Sequence, residues 1–269
     1  MDLVSLVSEY RVLVVAGSDA KAFLQAQFTC DLNALAEDSA CAGALLDAKG
    51  KVLAMGYLMP QSDHWLLLVH PTVAEQIVTH LSRYILRSSV EIGPSEWSAV
   101  GVIPEADSKT AGNNGDFSQL PAHSANVFLL PDGRQIGVSK TDADRSHLAV
   151  WRQWDLRAGM VCVDSAIQQR FIPQMLGLDV LGAVSFSKGC YPGQEIVARA
   201  RHLGRVKRGL ALLESRGQLM PGMELLNENA LRCGEVINVL QTGAGWLALA
   251  VVNRDVVQLA SVDRLQHFG

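Results

Sequence analysis

The chain has 269 residues, of which 49% are hydrophobic and 19% charged, and its formal net charge at pH 7 is −4. This composition is typical of a globular protein of one or two domains and excludes an intrinsically disordered chain. The pI near 6 argues against a protein that coats nucleic acid over its whole surface, but it allows a local basic patch.

Apolar runs and cysteines indicate the compartment. No apolar run approaches the roughly 20 residues of a membrane span, and the first residues, "MDLVSLVSEY", carry an acid where a signal peptide carries a base. The five cysteines are widely spaced and form no Cys-x-x-Cys pair, so neither a zinc site nor a disulfide framework is predicted. We expect a soluble, cytoplasmic protein with no metal site and no membrane contact.

The first hundred residues mix strands and helices. "RVLVVAG" (residues 11–17) predicts a buried strand, and Ser18 or Asp19 is placed to cap the helix that follows it. Residues 41–59 predict two strands that are joined by the polar turn at residues 47–51.

A further strand and helix follow. "HWLLLVH" (residues 64–70) predicts a strand, and the capping box at residues 72–75 predicts the start of a helix. The apolar stripe of that helix is predicted to consist of Val73, Ile77 and Leu81.

The middle of the chain begins with a polar, Gly-containing stretch at residues 108–124, which predicts an exposed loop or a boundary between lobes. "NVFLLPDGRQIGV" (residues 126–138) predicts a hairpin that turns at Asp132-Gly133, and residues 147–159 predict a helix that ends at Gly159. After residue 205 the pattern is one of short strands and turns, which is typical of a small β-barrel.

These elements predict an α+β protein rather than a doubly wound sheet. The expected domains are an N-terminal α+β lobe at residues 1–107, a second α+β lobe at residues 108–204 and a C-terminal β-barrel at residues 205–269.

An isolated thiol is the strongest chemical candidate. Cys190 precedes a Tyr-Pro-Gly turn, and Pro192 suits the first turn of a helix that runs through Gln194 and Glu195. The apolar face of that helix is predicted to consist of Ile196, Ala200 and Leu203, with Gly204 as the helix stop. A helix N-terminus and the nearby Lys188 both favour a thiolate, so Cys190 is predicted to be a functional thiol. The alternative is that it is a small buried hydrophobe.

A basic run follows the thiol. Five cations stand between residues 199 and 208 with no acid among them: Arg199, Arg201, Arg205, Lys207 and Arg208. In a slightly acidic protein this run indicates an anionic partner, and phosphate, a polyglutamate tail and RNA all qualify. The alternative is a solvated surface that only keeps the protein soluble.

"KGCYPGQEIVARA" (residues 188–200) resembles the signature of the YgfZ family, relatives of the glycine-cleavage T-protein, an aminomethyltransferase. Three further blocks resemble the family in the same order: "GSDAKAFLQAQFTCDL", "LDAKGKV" and "RAGMVCVDSAIQQRFIPQM". The resemblance implies two α+β lobes and a C-terminal β-barrel around a central cleft for tetrahydrofolate. It also implies a role in supporting iron–sulfur enzymes or their assembly, including enzymes that modify tRNA.

The resemblance also implies a set of site residues. The expected folate-binding residues are Tyr10, Trp151, Lys188, Tyr191, Gln194, Glu195 and Arg199. The aromatic residues would face the pteridine ring, and the cations would meet the glutamate tail.

Two other functions stay open at this point. One is a folate-dependent one-carbon (aminomethyl) transferase, and the other is a tRNA-binding module that uses the basic run. The chain is shorter than a typical T-protein, and the carboxylate that T-proteins set against the folate is not located. An accessory, non-catalytic role is therefore expected ahead of a transferase.

Overall fold

The computed structural model describes residues 3–35, 39–103, 124–130, 134–140, 147–202, 206–260 and 262–269. In these residues the strands are β1 (Leu3–Ala16), β2 (Cys41–Leu46), β3 (Val52–Pro60), β4 (His64–Val69), β5 (Glu91–Ile103), β6 (Ser124–Leu129), β7 (Gln135–Ser139), β8 (Arg208–Ser215), β9 (Glu224–Leu226), β10 (Arg232–Thr242), β11 (Gly245–Asn253) and β12 (Arg264–His267). The helices are α1 (Ala20–Gln27), α2 (Pro71–Ser82), α3 (Leu148–Arg157) and α4 (Gln194–His202), with a 3₁₀ helix at Pro173–Leu176.

The strands form two antiparallel sheets, so the protein has the mixed α and β content that the sequence predicts. The first sheet has the order β2-β3-β4-β1-β5-β7-β6, and the second has the order β12-β8-β11-β10-β9. In the described residues β12 and β9 are the two edges of the second sheet, so its pairing is that of an open sheet and not of the closed barrel that the sequence suggests. Strand β7, from the predicted second lobe, pairs with β5 from the predicted first lobe. The domain boundaries stay a prediction.

Strand β3 is apolar throughout because the first sheet is covered on both faces. Met55, Tyr57 and Met59 belong to one buried cluster, and Ala54 and Leu58 belong to another. Successive side chains of a strand point to opposite faces. A continuous apolar run therefore fills two separate cores.

The outer core lies under α1 and α2. Val73, Ile77 and Leu81 of α2 are all buried, which confirms the predicted apolar stripe. No helix in the described part of the chain is long and apolar enough to cross a membrane.

The predicted helix caps differ from the structure. The N-cap of α2 is His70, whose ring Nδ1 accepts a hydrogen bond from the Thr72 N–H at 3.4 Å. Thr72 Oγ1 instead accepts from the Ser165 N–H at 3.0 Å. Asp19 is the N-cap of α1, but its carboxylate accepts from the Ser89 N–H and makes no hydrogen bond to a helix amide. In both cases a partner distant in sequence takes the side chain.

The inner core lies between the two sheets. It joins Tyr57 of β3 to Leu212 of β8 and Leu249 of β11, and Trp151 of α3 is buried within it. A third cluster covers the other face of the second sheet. The inner core is where the residues of interest for function meet.

Candidate functional site

Lys188 anchors the signature loop to the end of α1. Its side chain is buried, and its Nζ donates hydrogen bonds to the carbonyl oxygens of Phe28 at 2.6 Å and Cys30 at 2.8 Å, and also to that of Gln25. The carbonyls at a helix C-terminus lack intrahelical partners and carry partial negative charge, so they suit an ammonium group. Burial lowers the pKa of Lys188, while the nearby Cys30, Asp31 and Cys41 act in the opposite direction.

Thr29 makes a second set of hydrogen bonds in the same region. Its Oγ1 donates to the Ala183 carbonyl at 2.6 Å and accepts from the Ala44 N–H at 2.9 Å. The Ser185 N–H donates to the Thr29 carbonyl at 2.8 Å. The chain just before the signature is therefore hydrogen-bonded, through Thr29, to edge strand β2.

Two glycines bring the signature against the Asp-Ala-Lys-Gly-Lys turn, which joins β2 and β3 as predicted. Gly193 and Gly50 both have positive φ, at 75° and 71°. A Cβ on Gly193 would lie 2.5 Å from the Asp47 carbonyl oxygen and 2.7 Å from the Gly50 Cα, and a Cβ on Gly50 would lie 2.9 Å from the Ile196 Cβ. No side chain fits in this contact. The backbones of two family-like motifs therefore touch.

The predicted thiol is accessible. Cys190 is exposed and stands shortly before Gln194, the first residue of α4. The ammonium of Lys188, which was predicted to favour the Cys190 thiolate, donates to the carbonyls at the end of α1 instead. The reactivity of Cys190 stays a prediction.

Tyr191, the next residue, is buried. Burial raises its pKa to about 12, and its hydroxyl has no hydrogen-bond partner among the described residues.

Helix α4 carries the polar part of the signature. Glu195 and Arg199 are exposed and pair with each other at 3.2 Å, and Gln194 is half-buried. The buried residue of α4 is Val197, whereas Ile196 and Ala200 of the predicted apolar face are only half-buried. This difference arises because α4 packs on the 3₁₀ helix at Pro173–Leu176, where the Gln174 side-chain amide donates to the Val197 carbonyl at 2.8 Å. Leu203 and Gly204, the predicted helix stop, lie outside the described residues.

A cavity of about 420 Å³ opens beside the inner core, next to β2, β3 and the end of α3. It is lined by Ala40, Cys41, Ala42, Tyr57, Leu130, Arg134, Ala158, Met160, Leu181 and Gly182. None of the site residues predicted from the sequence lines it directly.

Among the described residues of that lining, Arg134 carries the charged side chain. It is fully buried, and its Nη2 lies 2.7 Å from an Asp155 carboxylate oxygen. Its Nη1 donates to the Trp151 carbonyl at 3.2 Å, and its guanidinium carbon lies 4.3 Å from the centroid of the Trp151 ring. Trp151 is thus held directly against a cavity-lining cation.

Tyr10 packs against the cavity-lining Tyr57, as Trp151 packs against the cavity-lining Arg134. The two ring centroids are 5.5 Å apart and the ring planes meet at 68°, an edge-to-face contact. Burial, followed by the proximity of Tyr57 and Asp155, raises the pKa of Tyr10 well above its ordinary value. Tyr10 and Trp151, which the resemblance pairs, therefore each contact a residue that lines the same cavity.

The lining residues Arg134 and Tyr57 were missed from the sequence. The sequence could have pointed to Arg134, because it stands in a predicted hairpin of apolar residues. A cation in such a segment needs a buried partner. The partner, Asp155, lies in another element and is not visible from local sequence.

The basic run is spread over two elements. Arg201 stacks its guanidinium 3.8 Å from the centroid of the Phe186 ring, and Lys207 and Arg208 are exposed at the start of β8. Arg205 lies outside the described residues. In the part of the chain that the structure describes, no three His, Cys, Asp or Glu side chains are grouped as metal ligands.

Comparison with known proteins identifies the family. The tRNA-modifying protein YgfZ of Pectobacterium carotovorum is 33% identical over 282 residues, which cover 94% of this chain and 84% of the relative. The chain belongs to the YgfZ family. The YgfZ protein of Escherichia coli K12 is 29% identical over 287 residues, which cover 97% of this chain and 88% of the relative. The family assignment made from the signature is thereby confirmed, although no family model matches the chain.

Comparison with a solved structure identifies the fold. The glycine cleavage system aminomethyltransferase T from Bartonella henselae superposes with a TM-score of 0.69 at 14% sequence identity, over 100% of this chain and 85% of that one. This YgfZ-family chain therefore has the T-protein fold.

Replacement of Lys188 tests the anchor. Lys188→Met would leave the carbonyls of Gln25, Phe28 and Cys30 without their donor. Because an unpaired buried polar group costs roughly 1–3 kcal/mol, we expect the free energy of unfolding to fall by about 3 kcal/mol or more in urea melts. The matched control is Lys51→Met, which removes one exposed bond, 3.1 Å long, to the Arg170 carbonyl. Equal losses of unfolding free energy in the two variants would show that Lys188 does not anchor the loop.

The buried phenol of Tyr191 predicts a loss of stability in alkali. The phenol has a pKa of ~10 in the unfolded chain, whereas burial raises the pKa of Tyr191 to about 12 in the folded state. Its contribution is therefore complete below the unfolded pKa and is lost as the pH rises through that window. Tyr191→Phe should lose less stability than the wild type in urea melts above pH ~10. Tyr84→Phe, at an exposed tyrosine, should follow the wild type; if Tyr191→Phe did so too, the prediction would be wrong.

Proposed function

We propose that this protein binds tetrahydrofolate or a derivative in the cavity beside Tyr57 and Arg134, and that it supports iron–sulfur enzymes and thereby tRNA modification. The observation that carries the proposal is the arrangement of Tyr10 and Trp151 directly behind these two lining residues. The T-protein fold and relatives that are named tRNA-modifying proteins support it.

The residues present fit such a ligand. The cavity volume of about 420 Å³ falls in the range of small-molecule sites, which are mostly apolar with a few polar groups. Met160, Leu130 and Leu181 offer apolar contact to a flat ring, and Tyr57 and Arg134 supply the polar side. Tetrahydrofolate, when bound, would supply a carrier for one-carbon units.

The remaining predicted site residues would act outside the cavity. Arg199 is exposed, and its ion pair with Glu195 is a surface pair of small net energy. We propose that it meets the anionic tail of the ligand at the surface. Gln194 would belong to the same outer surface, whereas Lys188 and Tyr191 would hold the loop in place.

Cys190 would be the functional thiol of the accessory role. It is exposed on a loop that Lys188 fixes on one side and Gly193 fixes on the other. A fixed, accessible thiol suits disulfide exchange or transient ligation with a partner. One cysteine is too few to hold an iron–sulfur cluster within the chain, so a partner would supply the other ligands.

Tryptophan fluorescence tests the folate site. Because Trp151 is stacked on Arg134, we expect titration with tetrahydrofolate under anaerobic conditions to change the emission saturably. Trp151→Phe should lose most of the change, whereas Trp246→Phe, in strand β11 of the second sheet, should keep it. Absence of saturable binding, or an undiminished change in Trp151→Phe, would overturn the proposed site.

A second candidate function is direct tRNA binding by the basic run. It is favoured by Lys207 and Arg208, which are both exposed and for which no ion pair is observed within the described residues. This function does not require a folate.

Salt dependence separates this function from the first. For a tRNA complex, the logarithm of the binding constant should fall linearly with the logarithm of the salt concentration. Each lost phosphate contact should reduce that slope by roughly 1. Lys207→Ala and Arg208→Ala should each flatten the slope, whereas Arg83→Ala, at an exposed cation at the end of α2 and outside the basic run, should not. If all three variants behaved alike, the basic run would not be the binding surface.

A further inference from the structure

Two cysteines outside the signature lie in contact. The Sγ atoms of Cys30 and Cys41 are 3.1 Å apart, and both residues are free thiols in the structure. Sulfur atoms at this separation need to approach by only about 1 Å to reach the bond length of a disulfide.

The local register explains the contact. The residues after α1 run antiparallel to β2: Phe28 and Leu45 form a bridge, and the Thr29 N–H donates to the Ala44 carbonyl at 2.9 Å. This register sets Cys30 beside Gly43 and diagonally across from Cys41, within the reach of cross-strand side chains. A Cβ on Gly43 would lie only 2.5 Å from Cys30 Sγ, so the missing side chain at position 43 makes the room.

The two thiols differ in access. Cys30 is only 3% exposed, whereas Cys41 is half-buried and lines the cavity beside Tyr57 and Arg134. A small reagent in that cavity therefore reaches Cys41 before Cys30.

We propose that Cys30 and Cys41 are a redox pair, in which Cys41 reacts first with a low-molecular-weight disulfide and Cys30 resolves the product into an intramolecular disulfide. The Cys41 sulfur attacks the reagent, forms a mixed disulfide and releases the first thiol of the reagent. The Cys30 sulfur then attacks the Cys41 sulfur, and the second thiol leaves. In total the protein loses two protons and two electrons, and the reagent disulfide takes them up and is reduced to two thiols.

The surroundings predict a pH dependence of this reaction. The hydrogen bond to Cys30, together with burial, raises the pKa of the Cys41 thiol. The thiolate is the attacking species. The ammonium of Lys188, which donates to the Cys30 carbonyl, opposes this shift. The exchange should therefore become faster as the buffer is made more alkaline.

Cys41 also belongs to the cavity wall. A bond to Cys30 fixes the Cys41 sulfur at one end of β2, so oxidation alters a surface that any occupant of the cavity contacts. The pairing reaction itself does not depend on what the cavity binds.

Treatment of the intact protein with dithiodipyridine, a small aromatic disulfide, tests the proposal. Cys30 and Cys41 share the tryptic peptide that covers residues 22–49. In the wild type this peptide should become lighter by two hydrogen atoms without an added pyridyl group, and dithiothreitol should restore it. In C30S the pyridyl adduct should remain on Cys41. In C41S the buried Cys30 should stay largely unmodified.

The control is C233S, which removes a buried thiol of the second sheet and should behave as the wild type. An adduct that persists on the wild-type peptide beside a free thiol would overturn the proposal, as would an unmodified peptide while Cys190 reacts. Because the readout is mass alone, failure of the folate titration would leave this result unaffected.

Discussion

The ammonium group of Lys188 is the contact on which the arrangement of the site depends. A lysine is seldom buried, because desolvation of its charge is costly. Here the charge is surrounded by the carbonyls of Gln25 in the last turn of α1, of Phe28 at its C-cap and of Cys30 just beyond it. The last carbonyls of a helix lack helical partners and accept such a donor. The interaction offsets two costs at once, that of the cation and that of the carbonyls. It fixes the signature loop to the first helix, and it thereby sets where Cys190 is presented.

The glycine contact completes this constraint from the other side. Lys188 holds the loop before Cys190, and the contact of Gly193 with Gly50 holds it afterwards. Both glycines are required by their positive φ and by the close approach of the two backbones. The exposed thiol therefore stands on a segment with little freedom, which is the arrangement expected for a group that must meet a partner in one orientation.

Local elements could be predicted from the sequence, and contacts between distant residues could not. The β2–β3 hairpin and the α2 stripe follow from turn residues and periodicity, which are properties of adjacent residues. The hydrogen bond of Thr72 Oγ1 with the Ser165 N–H, and the pairing of Arg134 with Asp155, depend on residues distant in sequence that no local pattern encodes. The same holds for Lys188, whose carbonyl partners lie about 160 residues earlier in the chain. Short strands and turns predicted a barrel, but strand count does not determine closure, and the described pairing leaves β9 and β12 as edges.

The same ammonium connects the two thiol sites. Lys188 donates to the carbonyl of Cys30, whose sulfur touches Cys41 in the cavity wall, and it stands two residues before Cys190. The backbone of Cys30 therefore carries one of the hydrogen bonds that hold the signature loop. The cavity wall, the Cys30–Cys41 contact and the signature loop are thus joined by direct contacts.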